Sequence, residues 1–303
     1  MRWLVAGLVL AGAMAVGAAL AAAAEPKPKG IPDDLIQKIK DALPDKAQAA
    51  PAKPRRLLVY TRASGYYHGS IPILAKALEL MGEKTGAFTT VVTDDPAMIT
   101  PEKLKDFDAV FMNSTTGNCF APKGSKDAAA QEIEKTAKDA LLEFVKGGKG
   151  LAGNHAATDC YYGWKEYGDL IGGYFAGHPY SKITVKIDDP ASPVNAAFGG
   201  QPFQITDEMY IFKDPYSREK LHILLSIDNE KSGIDPAKGK RPDGDYAISW
   251  IQNYGQGRVF YCSFGHQTPI FTNAPIMRHF LDGIQFAFGD LKADATPTAK
   301  LAK

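Results

Sequence analysis

The stretch KGLAGNHAATD, residues 149–159, decides the fold. It runs from a glycine-bounded apolar segment into a turn of small residues. α/β hydrolytic folds make this sharp turn from strand to helix and present a nucleophile, Ser or Cys, at its apex. The residue here is His155. A histidine at that point disfavours a covalent acyl-enzyme and suits a metal ligand or a general acid or base.

The flanking sequence repeats the same alternation. Residues 55–61 read as a buried first strand with a turn signal at Ser64-Gly65. Ile71, Leu74, Leu78 and Met81 recur at helical spacing. Residues 88–93 and 108–113 read as strands, and 131–145 as a helix stopped by Gly147-Gly148. Strand, helix, strand, strand, helix, strand is the pattern of a mostly parallel sheet covered by helices. Ligands bind such sheets beyond the carboxyl ends of the strands. Tyr67-His68, Thr115-Thr116 and His155 all follow strands, so they should converge on one edge. The second half is β-rich, with strands at 183–187, 221–227, 246–252 and 258–264. A glycine-containing hairpin loop spans 253–257 and a closing helix spans 276–288. Residues 228–245 read as a polar surface loop near the site.

The ends look different from this body. Met1-Arg2, an apolar run from Leu4 to Leu20, and Ala22–Ala24 form a signal peptide over residues 1–24. The mature chain is then exported, periplasmic or secreted, with no stable membrane span. Residues 25–54 read as a linker with one short helix near 31–43, residues 55–290 as one domain, and residues 291–303 as a disordered tail.

The chain of 303 residues carries a net charge of +1, which removes any electrostatic case for nucleic acid. Its partner should be a small molecule, with a homo-oligomer compatible with the composition. Gly147–Gly150 precedes a strand rather than opening a helix, so no nucleotide is expected. Cys119, Cys160 and Cys262 form no framework and no CxxC pair. A zinc–thiolate site is therefore not expected, although one pair could bridge in an oxidising compartment.

Four of the six histidines stand where an element meets a loop: His68, His155, His178 and His266. Asp159 lies four residues after His155, and Asp207-Glu208 add two further carboxylates. Neutral imidazoles with one or two carboxylates suit a divalent metal such as zinc and leave a position open for water or substrate. We assign His68, His155, His178 and His266 as metal ligands, and His155, Glu208, His68 and Asp159 as the catalytic set. Without a metal, one imidazole would act as base and another as an electrostatic stabiliser. His222 and His279 lie inside regular elements and read as structural. Tyr67, Tyr162, Trp164, Tyr210 and Trp250 offer flat faces with polar tips, which suit amphipathic ligands such as sugars.

Five motifs occur in order: RASGYYH (62–68), GNHAA (153–157), GYFAGHP (173–179), DEMY (207–210) and YGQGRVFYCSFGH (254–266). Together they resemble the ThuA-like (trehalose utilisation) family of the class I glutamine amidotransferase-like superfamily, over about residues 55–288. The resemblance implies a flavodoxin-like, mostly parallel sheet with helices on both faces. It also implies a link to sugar utilisation, including oxidised (keto) disaccharides. The superfamily's amidotransferases carry a cysteine nucleophile at the elbow. His155 holds that position here, so glutamine hydrolysis through a thioester is not expected, and Cys160 is not the nucleophile. The leader and an insertion at 121–137 depart from the family pattern. The expectation is an exported carbohydrate-active enzyme using a His/carboxylate site on a sugar or keto-glycoside by hydrolysis, elimination or isomerisation. The alternative is a non-catalytic carbohydrate-binding or envelope scaffold module.

Overall fold

The computed structural model describes residues 30–122 and 127–301. The expected signal peptide lies outside the described residues. The first half alternates as its apolar pattern requires: β1 (Arg56–Tyr60), α2 (Ile71–Thr85), β2 (Thr89–Thr93), α3 (Pro101–Leu104), β3 (Ala109–Asn113), β4 (Thr116–Gly117), α4 (Ala128–Lys146), β5 (Gly150–Asn154), β6 (Asp159–Cys160) and α5 (Lys165–Ile171). A helix α1 (Asp33–Ala42) precedes them. The second half holds β7 (Tyr174–Ile187), β8 (Phe203–Lys213), β9 (His222–Ile227), β10 (Ala247–Tyr254), β11 (Gly257–Cys262) and α6 (Ala274–Phe288).

One nine-stranded sheet has the order β2-β1-β3-β5-β11-β10-β9-β7-β8. Its first five strands are parallel and follow the flavodoxin-like order, whereas β10, β9, β7 and β8 continue it antiparallel. Burial alternates in β1 between two cores. Leu57 and Val59 pack with α1, α2 and α6, while Leu58 and Tyr60 pack with α3, α4 and α5. A strand covered on both faces must be apolar throughout, which is why β1, β3 and β5 read as unbroken apolar runs. Among the described residues, no helix is long and apolar enough to cross a membrane.

The structure corrects the reading of both ends. Residues 44–54 are docked rather than free. The Gln285 side chain accepts from Gln48 N and donates to Ala49 O, and Arg55 pairs with Asp290. α1 buries Ile39 and Ala42 against this layer. The tail is likewise ordered through Leu301. Leu291 and Ala295 are buried, Thr298 N donates to Leu221 O at 2.9 Å, and Thr298 Oγ1 accepts from Ile223 N at 2.8 Å. Both segments are poor in apolar residues, so polar side chains and backbone groups hold them in place of a hydrophobic stripe.

The chain after β1, β3, β5 and β11 leaves the carboxyl edge of the parallel strands. Those four exits carry His68, Ser114, His155 and His266 toward one place. The long β7–β8 hairpin supplies the remaining wall. Three register irregularities between Phe175 and Lys182 interrupt its ladder. Such breaks bend a hairpin and re-aim its side chains.

Candidate functional site

His155 sits at the elbow with φ of 43°, in the left-handed region. Ser114 at the exit of β3 and Tyr161 after β6 share that conformation, at 44° and 51°. Non-glycine residues are held there only where surrounding contacts fix them, and such positions gather at functional sites. His155 is fixed at both ends. Its carbonyl accepts from Tyr261 Oη at 2.6 Å, and its Nδ1 lies 3.1 Å from Ser263 O. A carbonyl only accepts, so Nδ1 carries the proton. In the neutral ring Nε2 then presents a lone pair.

That lone pair faces a carboxylate. His155 Nε2 is 3.4 Å from Glu208 Oε2, and His266 Nδ1 is also 3.4 Å from Oε2. Two acceptors at this distance need a shared proton or a cation between them. His68 completes the group: its ring meets His155 edge-on with centroids 4.7 Å apart, and His266 at 5.4 Å. The donor atoms of His68, His155, Glu208 and His266 all lie within 4.8 Å of one another.

Burial sets the charge states. His68 and His155 are buried, and His68 Nδ1 and His155 Nε2 have no hydrogen-bond partner. Desolvation, reinforced by His155 and His266, pushes His68 down to about 2, so it stays neutral. Burial pushes the Glu208 carboxyl up, but the adjacent His155, His266 and His178 rings outweigh it and hold Glu208 below its ordinary value. Three imidazoles and one carboxylate are a ligand set that zinc accepts, and the orphaned buried nitrogens fit a bound cation.

The remaining residues singled out in the sequence divide sharply. His178 stands outside the four-residue group and touches it through Glu208, with Nδ1 at 3.2 Å from Oε1 and its side chain 52% exposed. Tyr210 belongs to the site, since its ring lies 4.2 Å from that of His155. Asp159 accepts from Tyr162 Oη instead of joining the group, and burial raises its carboxyl. Tyr162 is exposed at the rim beneath the Lys213 ammonium. Tyr67 lines a different cavity, of about 300 Å³, with Lys76 and Asp94. Trp164 stacks on Tyr167 under Lys138 and is packing. Trp250 is a correction: it has no exposure, donates to Ile171 O at 2.9 Å and stacks on Tyr261. β10 is an interior strand covered on both faces, so its indole cannot reach a ligand.

One participant, Phe175, escaped the sequence reading, and Asp207, singled out there only as a carboxylate, has a role of its own. Phe175 packs 4.2 Å from Tyr210 and nearly parallel to His178, backing both. Asp207 accepts from Gly265 N at 2.7 Å and Gln267 N at 2.8 Å, either side of His266. The signal was present in DEMY. Read as a strand, its period of two puts Glu208 and Tyr210 on one face and Asp207 on the other.

The family described as "ThuA: Trehalose utilisation" matches residues 56–287. The chain belongs to the ThuA family. The solved structures agree on the fold. A ThuA-like protein from Bacteroides uniformis superposes with a TM-score of 0.59 at 20% identity, covering 84% of this chain and 99% of that one. A second, from Parabacteroides merdae, gives 0.55 at 14% identity, covering 80% and 93%. No curated protein matches. The ThuA match begins at β1 and ends within α6, so α1 and the ordered tail are additions packed around a ThuA domain. The family belongs to the glutamine amidotransferase-like superfamily, and its description ties the chain to carbohydrate use. All four residues of the His/Glu group fall inside the ThuA match.

Proposed function

We propose that this ThuA protein is an exported carbohydrate-active enzyme. It acts on a sugar or keto-glycoside at the His68–His155–Glu208–His266 group, with a divalent metal such as zinc held by those four residues. The observation that carries the reading is the pair of facing acceptors, His155 Nε2 and Glu208 Oε2, in a buried group with a second orphaned imidazole nitrogen. A bound divalent ion would polarise a sugar hydroxyl or carbonyl and lower the pKa of a bound water.

The chain's own residues supply the rest. Ser263 O fixes the His155 tautomer, as the outer partners of metal-bound histidines do. Tyr210 covers one face of the His155 ring and limits water there. His178 is exposed enough to exchange protons with solvent and meets the Glu208 oxygen that faces away from His155, so it is placed to move a proton at Oε1. The positive start, the apolar run from Leu4 to Leu20 and Ala22–Ala24 in the sequence are the support for export.

The test is a metal analysis of purified protein followed by assays on a panel of glycosides and 3-keto-glycosides, with the native protein and His155→Asn. Stoichiometric metal and turnover, both lost in the variant, are expected. Saturable sugar binding with no turnover would instead favour the carbohydrate-binding module.

A further inference from the structure

A cavity of about 520 Å³ opens beside His266, on the side where the chain enters α2. One wall is Ser70 and Ile73, at the start of α2. A second is Gln267 and Thr268, which follow His266. The third is Ile31, in the arm ahead of α1. His266 belongs both to this lining and to the His/Glu group, so a single ligand can span the two.

Ser70 is the unusual member. It is only 3% exposed, and its hydroxyl has no hydrogen-bond partner. It occupies the N-cap position of α2, where a serine normally accepts from the helix backbone, yet it makes no such bond. Its φ of −73° and ψ of −16° are already helical, whereas a capping residue needs an extended backbone. A buried hydroxyl left idle costs free energy unless something else satisfies it.

The rest of the lining says what that ligand is. Among the described residues, the cavity wall contains no ionisable side chain apart from His266. Neutral hydrogen-bonding groups from Ser70, Gln267 and Thr268 alternate with the aliphatic surfaces of Ile31 and Ile73. That mixture suits a neutral ring with hydroxyls at its edge and C–H groups on its faces. The volume lies within the roughly 300–1,000 Å³ of small-molecule sites.

We propose that this cavity is a second sugar subsite, which takes the ring of a glycoside lying away from the His/Glu group and recognises one of its hydroxyls through Ser70 Oγ. The proposal rests on the carbohydrate reading above. It assigns the arm ahead of α1, which lies outside the ThuA match, a direct part in ligand binding.

The test is calorimetric titration of the full chain with trehalose and glucose, each also as its 3-keto derivative. Ser70→Ala should weaken the disaccharide about tenfold, the effect of one hydrogen bond, and leave the monosaccharide unchanged. Ile73→Trp, which fills the cavity, should abolish disaccharide binding and spare the monosaccharide. Because the Ser70 hydroxyl is unpartnered, Ser70→Ala should not lower Tm, so a loss of binding cannot come from unfolding. If the native protein binds sugars and both variants bind them equally well, the subsite is wrong and the carbohydrate reading stands. If the native protein binds none of the four, both fall together.

Discussion

Asp207 and Glu208 are neighbours on β8 and act on the same histidine by different routes. Glu208 Oε2 meets the His266 ring at 3.4 Å, while Asp207 grips the backbone on either side of it, at Gly265 N and Gln267 N. The strand thus carries a member of the His/Glu group and, one residue away, the group that positions another member. Period-two alternation makes this possible, because consecutive side chains leave opposite faces.

The two carboxylates should separate in mutagenesis. Asp207→Asn replaces an acceptor of two buried N–H groups by an amide that can accept only on its oxygen. It should cost about 3 kcal/mol of stability, as expected for bonds to a buried charge. It should also weaken zinc uptake by releasing the His266 loop. Glu208→Gln should lose zinc uptake with little loss of stability, because Glu208 is partly exposed and holds no backbone group. Urea denaturation paired with zinc titration checks both. Equal stability of Asp207→Asn and the native protein would remove the clamp.

The contrast also explains what the sequence could reveal. β1, β3 and β5 were legible because parallel interior strands are apolar on both faces, and the exits that carry His68 and His155 followed directly. β8 was not legible. Its middle is Thr206-Asp207-Glu208, which by composition is a loop, and it forms a strand in which Asp207 and Glu208 are satisfied by the site it lines. Trp250 failed for the opposite reason. An aromatic beside a polar strand end looks available to a ligand, but only the sheet order shows that β10 has no free face. The arm and tail were misread because Gln285 and Asp290, remote in sequence, hold the one, and the edge of β9 holds the other.

The elbow should tolerate side chains according to backbone conformation as well as chemistry. At φ of 43°, asparagine is the non-glycine replacement that costs least, and a β-branched residue is strained by at least about 1–2 kcal/mol. His155→Asn should therefore fold with a Tm close to native and lose metal and activity. His155→Val should lose activity and also unfold at markedly lower temperature. Scanning calorimetry on the two variants separates the contributions. A His155→Val protein as stable as His155→Asn would show that the left-handed turn carries no strain.

Stability should fall in mild acid through a residue far from the site. His279 is fully buried on α6, with Nδ1 2.9 Å from Val194 O, and burial pushes it down to about 4. In the unfolded chain a histidine titrates near 6.5. Between those values the unfolded chain binds a proton that the native chain refuses, so stability rises with pH there. The contribution is complete above about pH 6.5 and is lost as pH falls toward about 4, by about 3 kcal/mol in all. The difference between native and His279→Gln denaturation curves over this range isolates it from the other histidines. A difference that does not change with pH would refute the assignment.

The structure also selects among the cysteine pairings that spacing left open. Cys119 and Cys160 place their sulfurs 3.9 Å apart, while Cys262 lies on β11 in the other core. All three are buried. Burial, and then Cys160, push the Cys119 thiol up, and burial pushes Cys262 up to about 12. Buried sulfurs are out of a reagent's reach, so none should react readily with a maleimide in the folded, reduced protein. The Cys119 and Cys160 sulfurs are both inaccessible in the folded chain, so a bridge would form during folding. Cys119 and Cys160 would then lose two protons and two electrons to a disulfide-bearing oxidant, which leaves as a dithiol. Protein prepared from an oxidising compartment should show one reactive thiol after denaturation, and protein from a reducing one should show three. Peptide mapping without reduction should find Cys119 joined to Cys160. A bridge involving Cys262 would contradict the packing, because it would require the two cores to exchange residues across the sheet.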